Sequence, residues 1–177
     1  MKEDTAAALS VLREAVRNEL DGQAMYLQAA ERTNDELGKG MFRSFAKEEE
    51  QHIHVLEVQY AEVHQSEEWV DLDAARQEPR DPKLVLFPQE EGEVKEIIPV
   101  GTSDLEALKI AMDFENRAVR MYEQAASDTE DPTAQAFYRE LAEWEGKHYE
   151  ILDNSYDYLA NEGEWYFQEQ EMPFYIG

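Results

Sequence analysis

Leu9, Leu12, Val16, Glu19, Gln23, Tyr26 and Ala30 follow one another at alternating steps of three and four residues. That rhythm draws one stripe along a helix. Phe42, Phe45, Glu49, His52, Leu56, Gln59 and Val63 draw a second. Leu105, Leu108, Met112, Glu115, Val119, Tyr122 and Ala126 draw a third, and Tyr138, Leu141, Glu145, His148, Leu152, Ser155 and Leu159 a fourth. The pattern predicts four helices near 4–33, 36–65, 104–128 and 132–161. Asp4 or Thr5 is placed to cap the first, Ser103 with Glu106 forms a capping box for the third, and Asp131 precedes a proline at the start of the fourth. Short loops at 33–37 and 128–132 imply two antiparallel hairpins. The expected fold is therefore all-α, an antiparallel four-helix bundle with a long crossover between helices 2 and 3.

The two hairpins are related. Shifting the chain by 96 residues aligns 9–60 with 105–156 without a gap, and 17 of 52 positions are identical. Roughly three would match by chance at average composition. Leu12/Leu108, Glu19/Glu115, Tyr26/Tyr122, Glu49/Glu145, His52/His148 and Leu56/Leu152 are among the pairs. The chain reads as a duplication within a single bundle domain, 1–161.

The crossover, 66–102, holds four prolines, an acidic run at 90–93 and the apolar pieces 84–87 and 94–100. Its irregularity excludes a fifth bundle helix. A structureless loop this long is unusual, so parts of it are expected to pack on the bundle. The tail, 162–177, carries Trp165, Tyr166, Phe167, Phe174 and Tyr175. These are expected to pack on the bundle or on a neighbour.

Each apolar stripe is interrupted at the same depth. The first and third helices offer Glu19 and Glu115, and the second and fourth offer Glu49-x-x-His52 and Glu145-x-x-His148. Positions i and i+3 share a helix face, so each Glu and His can reach one point. Four bare carboxylates in a core would be held apart by desolvation and mutual repulsion, or forced to protonate. Two divalent cations resolve this, because four negative charges then meet four positive ones. Carboxylate and imidazole donors without thiolate suit iron or manganese, and zinc can also bind them.

These residues carry a family resemblance. ELDGQAMY (19–26) with FAKEEEQH (45–52), and FENRAVRMY (114–122) with LAEWEGKH (141–148), resemble the rubrerythrin branch of the ferritin-like superfamily. The resemblance covers most of 5–160 and implies a ferritin-like bundle holding two iron ions. It implies Glu19, Glu49, His52, Glu115, Glu145 and His148 as metal ligands, with Glu49 and Glu145 bridging. Tyr26 and Tyr122 would donate hydrogen bonds to ligating carboxylates. The implied activity is reduction of hydrogen peroxide or dioxygen with electrons from an external donor such as rubredoxin, and the implied assembly is a homodimer. Two departures stand out. Position 118 is alanine where rubrerythrins usually carry a further glutamate, which leaves a six-ligand set more like the ferroxidase centre of bacterioferritins. The chain has no cysteine, so a rubredoxin-type thiolate iron site is excluded within it. A ferroxidase or iron-storage role, and a metal-binding module without turnover, remain as alternatives.

Charge narrows the picture further. With 41 acidic and 16 basic residues the net charge is −25, which disfavours nucleic acid and anionic membrane surfaces. No signal-peptide pattern or membrane-length apolar run is present, so a cytoplasmic protein is expected. Outside the cluster, His54, His64, Glu48 and Glu50 are expected at the surface. Trp144, Met25, Met41, Met112 and Met121 are expected as packing.

Overall fold

Helix propensity and caps agree with the stripes. In a computed structural model, which describes residues 3–79, 86–87 and 96–165, α1 spans Glu3–Arg32, α2 Glu36–Ser66, α3 Leu72–Gln77, α4 Asp104–Asp128 and α5 Pro132–Glu162. Among the described residues every regular element is helical. The start of α1 at Glu3 puts Asp4 and Thr5 inside its first turn rather than at a cap. Asp35 caps α2 by accepting from the amides of Leu37 and Gly38. Ser103 and Glu106 form the expected capping box on α4, and Asp131 caps α5 ahead of Pro132.

Packing follows the hairpins: α1 lies along α2, and α4 along α5. The two hairpins then meet face to face. Tyr26 pairs with Glu115 while Tyr122 pairs with Glu19, so numbers rising on α1 meet numbers falling on α4, and these helices are antiparallel. On α2 and α5, His52 meets Glu145 and His148 meets Glu49, which gives the same sense. An antiparallel α4 must begin at the end of the bundle where α1 finishes. The crossover therefore climbs the whole length, about 45 Å for a 30-residue helix.

Its described parts mark the climb. Leu72 and Ala75 of α3 are buried at the end that holds Leu9, Leu12 and Val63. Farther along α1, Arg13 and Arg17 lie over the ring of Phe87 at 5.2 and 4.2 Å. At the far end the Gln28 side-chain oxygen accepts from the amides of Ile97 and Ile98, at 2.8 and 3.0 Å. Ile98 is fully buried there. The expected packing of the crossover holds for these pieces; 80–85 and 88–95 lie outside the described residues. Of the tail, Trp165 packs edge-on against Phe42, 5.7 Å between ring centroids, and 166–177 lie outside the described residues.

Two apolar clusters fill the interior, one at each end. Leu12, Val16, Leu56, Phe137 and Leu141 belong to the first, and Met25, Phe42, Phe45, Leu108 and Leu152 to the second. Burial of each such side chain stabilises the fold by roughly 1.5–3 kcal/mol. Between them lies a polar layer whose charged side chains are buried.

Candidate metal centre

The polar layer is built by all four long helices. Glu19 comes from α1, Glu49 and His52 from α2, Glu115 from α4, and Glu145 and His148 from α5. Each is at most 1% exposed. The structure thus brings together every candidate ligand named from the sequence, and it buries Tyr26 and Tyr122 beside them.

Around His52 Nδ1 stand Glu145 Oε1 at 3.0 Å, Glu19 Oε2 at 3.1 Å and Glu49 Oε2 at 3.2 Å. Around His148 Nδ1 stand Glu145 Oε2 at 3.3 Å, Glu49 Oε1 at 3.4 Å and Glu115 Oε1 at 3.5 Å. Two quartets result: Glu19, Glu49, His52 and Glu145, and Glu49, Glu115, Glu145 and His148. Within each, the potential ligand atoms lie within 4.8 Å of one another. Glu49 and Glu145 belong to both, turning one oxygen to each side.

A ring nitrogen carries one proton at most, so it cannot satisfy three carboxylates. Both oxygens of Glu49, both of Glu145, Glu115 Oε2 and His148 Nδ1 are buried without a hydrogen-bond partner. Leaving even one such group unmatched is costly. Orphaned donor atoms converging on two adjacent points fit a pair of divalent cations bound through oxygen and nitrogen.

The two tyrosines cross between hairpins. Tyr26 donates to Glu115, and Tyr122 donates to Glu19. Helical side chains lean toward their own N-terminus. Glu19 therefore leans away from Tyr26 on its own helix and toward Tyr122 on the antiparallel one. Burial, followed by the charges of Glu115 and Glu19 respectively, pushes both phenols well above their usual range, so they remain O–H donors.

Protons alone could balance this layer. Burial, then the charges of Glu145 and Glu49, raise the Glu19 carboxyl well above the usual range. Burial and Glu145 raise Glu115 to about 8, against an opposing pull from His148. Glu49 is lowered although burial opposes it, because the charge of His52, foremost, and the adjoining Glu19 and His148 side chains outweigh the desolvation. Glu145 is lowered in the same way, with His52 foremost. Burial acts to lower both histidines, yet the surrounding carboxylates raise them well above their usual value. Two neutral acids, two carboxylates and two imidazoliums sum to zero, as do four carboxylates and two divalent cations.

One neighbour departs from expectation and a second matches it. Glu48 is buried, not solvated, and its Oε2 lies 3.3 Å from His148 Nε2. It also forms an overlapping trio of potential ligands with His52 and His148. Its spacing, three residues after Phe45 and four before His52, was a signal in the sequence, but the run of three glutamates hid which of them turned inward. Trp144 does pack, and what it packs on is His52, stacked at 5.0 Å and 25°. Glu50 and His64 are exposed and His54 is half-buried, and none joins a candidate metal group. Met25 and Met41 are fully buried in the core, as expected.

The family model for Rubrerythrin matches residues 10–156, which includes every residue of both quartets. No curated protein and no solved structure matches the chain.

Proposed function

Because the chain belongs to the rubrerythrin family, within the ferritin-like superfamily, we propose that it is a dinuclear non-haem iron oxidoreductase that reduces hydrogen peroxide or dioxygen with external electrons. The observation that carries this reading is the pair of buried quartets sharing Glu49 and Glu145. In it, Glu49 and Glu145, which belong to both quartets, would serve both metal ions, while Glu19 with His52 and Glu115 with His148 would hold one each. When bound, the metal pair supplies two electrons at one place, as a two-electron acceptor requires.

The protein's own groups have separate tasks. Tyr122 and Tyr26 fix the carboxylates of Glu19 and Glu115 through their hydroxyls, which sets the direction of the remaining oxygens. Glu19 and Glu115, whose carboxyls burial raises in the metal-free layer, would hold a metal only in their carboxylate form. The apolar clusters on either side exclude water and strengthen every electrostatic contact within the layer. In our reading the electrons come from a rubredoxin-like protein or a small reductant. A homodimer is the proposed assembly.

The test is direct. Anaerobically reduced, iron-loaded protein mixed with peroxide should reoxidise rapidly, and Glu49→Ala, which removes a carboxylate common to both quartets, should abolish the rapid phase. Equal behaviour of the two proteins would refute the site assignment. One observation favours iron handling as a second reading: position 118 on α4 is a buried alanine, so that helix adds no further carboxylate there. Particle size separates the two, since a small oligomer supports the redox enzyme and a hollow multi-subunit shell supports storage.

A further inference from the structure

The 96-residue shift reaches past the candidate ligands. Both α2 and α5 end on a residue in the left-handed region, Glu67 at φ 60° and Gly163 at φ 70°, and the shift superposes these two positions. Two residues on, each turn lays a half-buried tryptophan, Trp69 or Trp165, against a ring on the other of these two helices. Trp69 meets Tyr138 with ring centroids 5.4 Å apart, Tyr138 meets Tyr122 at 6.4 Å, and Tyr122 donates to Glu19. In the other half Trp165 meets Phe42 at 5.7 Å, Phe42 meets Tyr26 at 6.2 Å, and Tyr26 donates to Glu115. The two files of rings match position for position, with one chemical difference: Tyr138 stands where the shift places Phe42. The Tyr138 hydroxyl is buried without a hydrogen-bond partner, which costs about 1–3 kcal/mol. Phe42 shows that packing at this place does not need it.

We propose that Tyr122, Tyr138 and Trp69 form a relay that carries single electrons from the protein surface to the metal centre, and that the file through Phe42 does not. This inference rests on the dinuclear reading above. Dioxygen takes four electrons and four protons to become two waters. A ferrous pair gives two of the electrons, one from each ion, and the other two must arrive singly from a one-electron donor. Tyrosine and tryptophan can each lose one electron and regain it, whereas the benzene ring of phenylalanine resists oxidation. An electron vacancy therefore moves outward from Tyr122 to Tyr138 to Trp69, where the donor fills it and is itself oxidised once. Each phenolic proton leaves and returns with its electron, across the hydrogen bond to Glu19 for Tyr122 and to water for Tyr138. The four protons consumed come from solvent. Trp144 touches His52 directly, but the Arg76 guanidinium lies 5.8 Å from its ring centre, and that positive charge opposes loss of an electron there.

Without a donor the vacancy stays on the outermost ring, where dioxygen captures it as an oxygenated indole. Iron-loaded protein, reduced and then exposed to dioxygen alone, should be digested and its peptides mapped by mass for oxygen added to tryptophan. Wild type should carry the addition on Trp69 and not on Trp165. Tyr138→Phe should lose it while keeping its stability in urea, since no hydrogen bond is removed. Phe42→Tyr should gain it on Trp165. Ascorbate, as a one-electron donor, should suppress it in every case. Circular dichroism of each variant before loading checks that the helices are intact, and Tyr138→Phe alone decides if Phe42→Tyr does not fold. Equal addition on Trp69 and Trp165 in wild type would overturn the inference. So would addition on Trp144 in place of Trp69, or addition on Trp69 that survives Tyr138→Phe. Iron is counted before exposure. Fewer than two ions per chain would remove the dinuclear reading, and this inference with it; two ions without addition on Trp69 would sink the relay and leave that reading standing.

Discussion

At the scale of single residues, the centre depends on pairs that cross from one hairpin to the other. Tyr26 and Tyr122 each give one hydrogen bond to a buried carboxyl group on the opposite half. Replacing either with phenylalanine removes the donor and keeps the ring. A hydrogen bond between neutral groups contributes about 0.5–1.5 kcal/mol, and an acceptor left buried without its donor costs about 1–3 kcal/mol. Tyr26→Phe and Tyr122→Phe should each lower stability in urea by about 2 kcal/mol and should weaken metal binding on the side of the carboxylate they lose. Gly22 makes a similar point about space. A Cβ there would lie 3.0 Å from a ring carbon of Phe114 and 3.5 Å from the Glu49 carboxyl carbon, so the missing side chain leaves room beside a shared carboxylate.

At the scale of elements, the crossover has to hold α4 antiparallel to α1 without a helix of its own length. It does so through a few anchors. Gln28 accepts two consecutive amides, from Ile97 and Ile98, and Arg32 pairs with Glu96 at 3.0 Å. The ion pair is half exposed and contributes little. The amide anchor is partly buried and contributes more. Gln28→Ala should leave the four long helices intact by circular dichroism while raising the rate of proteolytic cleavage within 80–100. No change in cleavage would show that Ile98 alone holds the segment. Helix ends need less help, since Asp35, Ser103 and Asp131 each satisfy the first amides of the helix that follows.

At the scale of the whole molecule, the buried layer couples stability to pH. Glu19, Glu115, His52 and His148 all have folded-state values above their unfolded ones. The folded chain then holds more protons than the unfolded chain, and stability falls as pH rises. For Glu115 the window runs from 4.5 to about 8. Glu49 and Glu145 are lowered and act in the opposite sense, losing stability as pH falls below the ordinary carboxylate range. Protein stripped of metal should therefore melt at its highest temperature in mildly acidic buffer and at a lower one by pH 8. Added metal displaces the stored protons, so its stabilising increment should grow over the same interval. Calorimetry with and without a chelator, across that range, would show both trends; a metal increment independent of pH would contradict proton exchange.

The amino-acid order by itself determined much of this protein. Steps of three and four residues set four helices, because a helix returns to the same face at that interval. The duplicated Glu and Glu-x-x-His set marked the candidate ligands, because charges placed in an apolar stripe must end up buried together. Capping signals at Ser103 and Asp131 were equally legible, since they act within one turn. What only the tertiary structure decided depends on how one hairpin faces the other. That facing sends Tyr26 to Glu115 rather than toward Glu19, turns Glu48 inward while Glu50 stays in solvent, and lays Trp144 on His52. Such contacts join residues about 90 to 100 positions apart, and no local periodicity encodes which member of a glutamate run meets a ring on a distant helix.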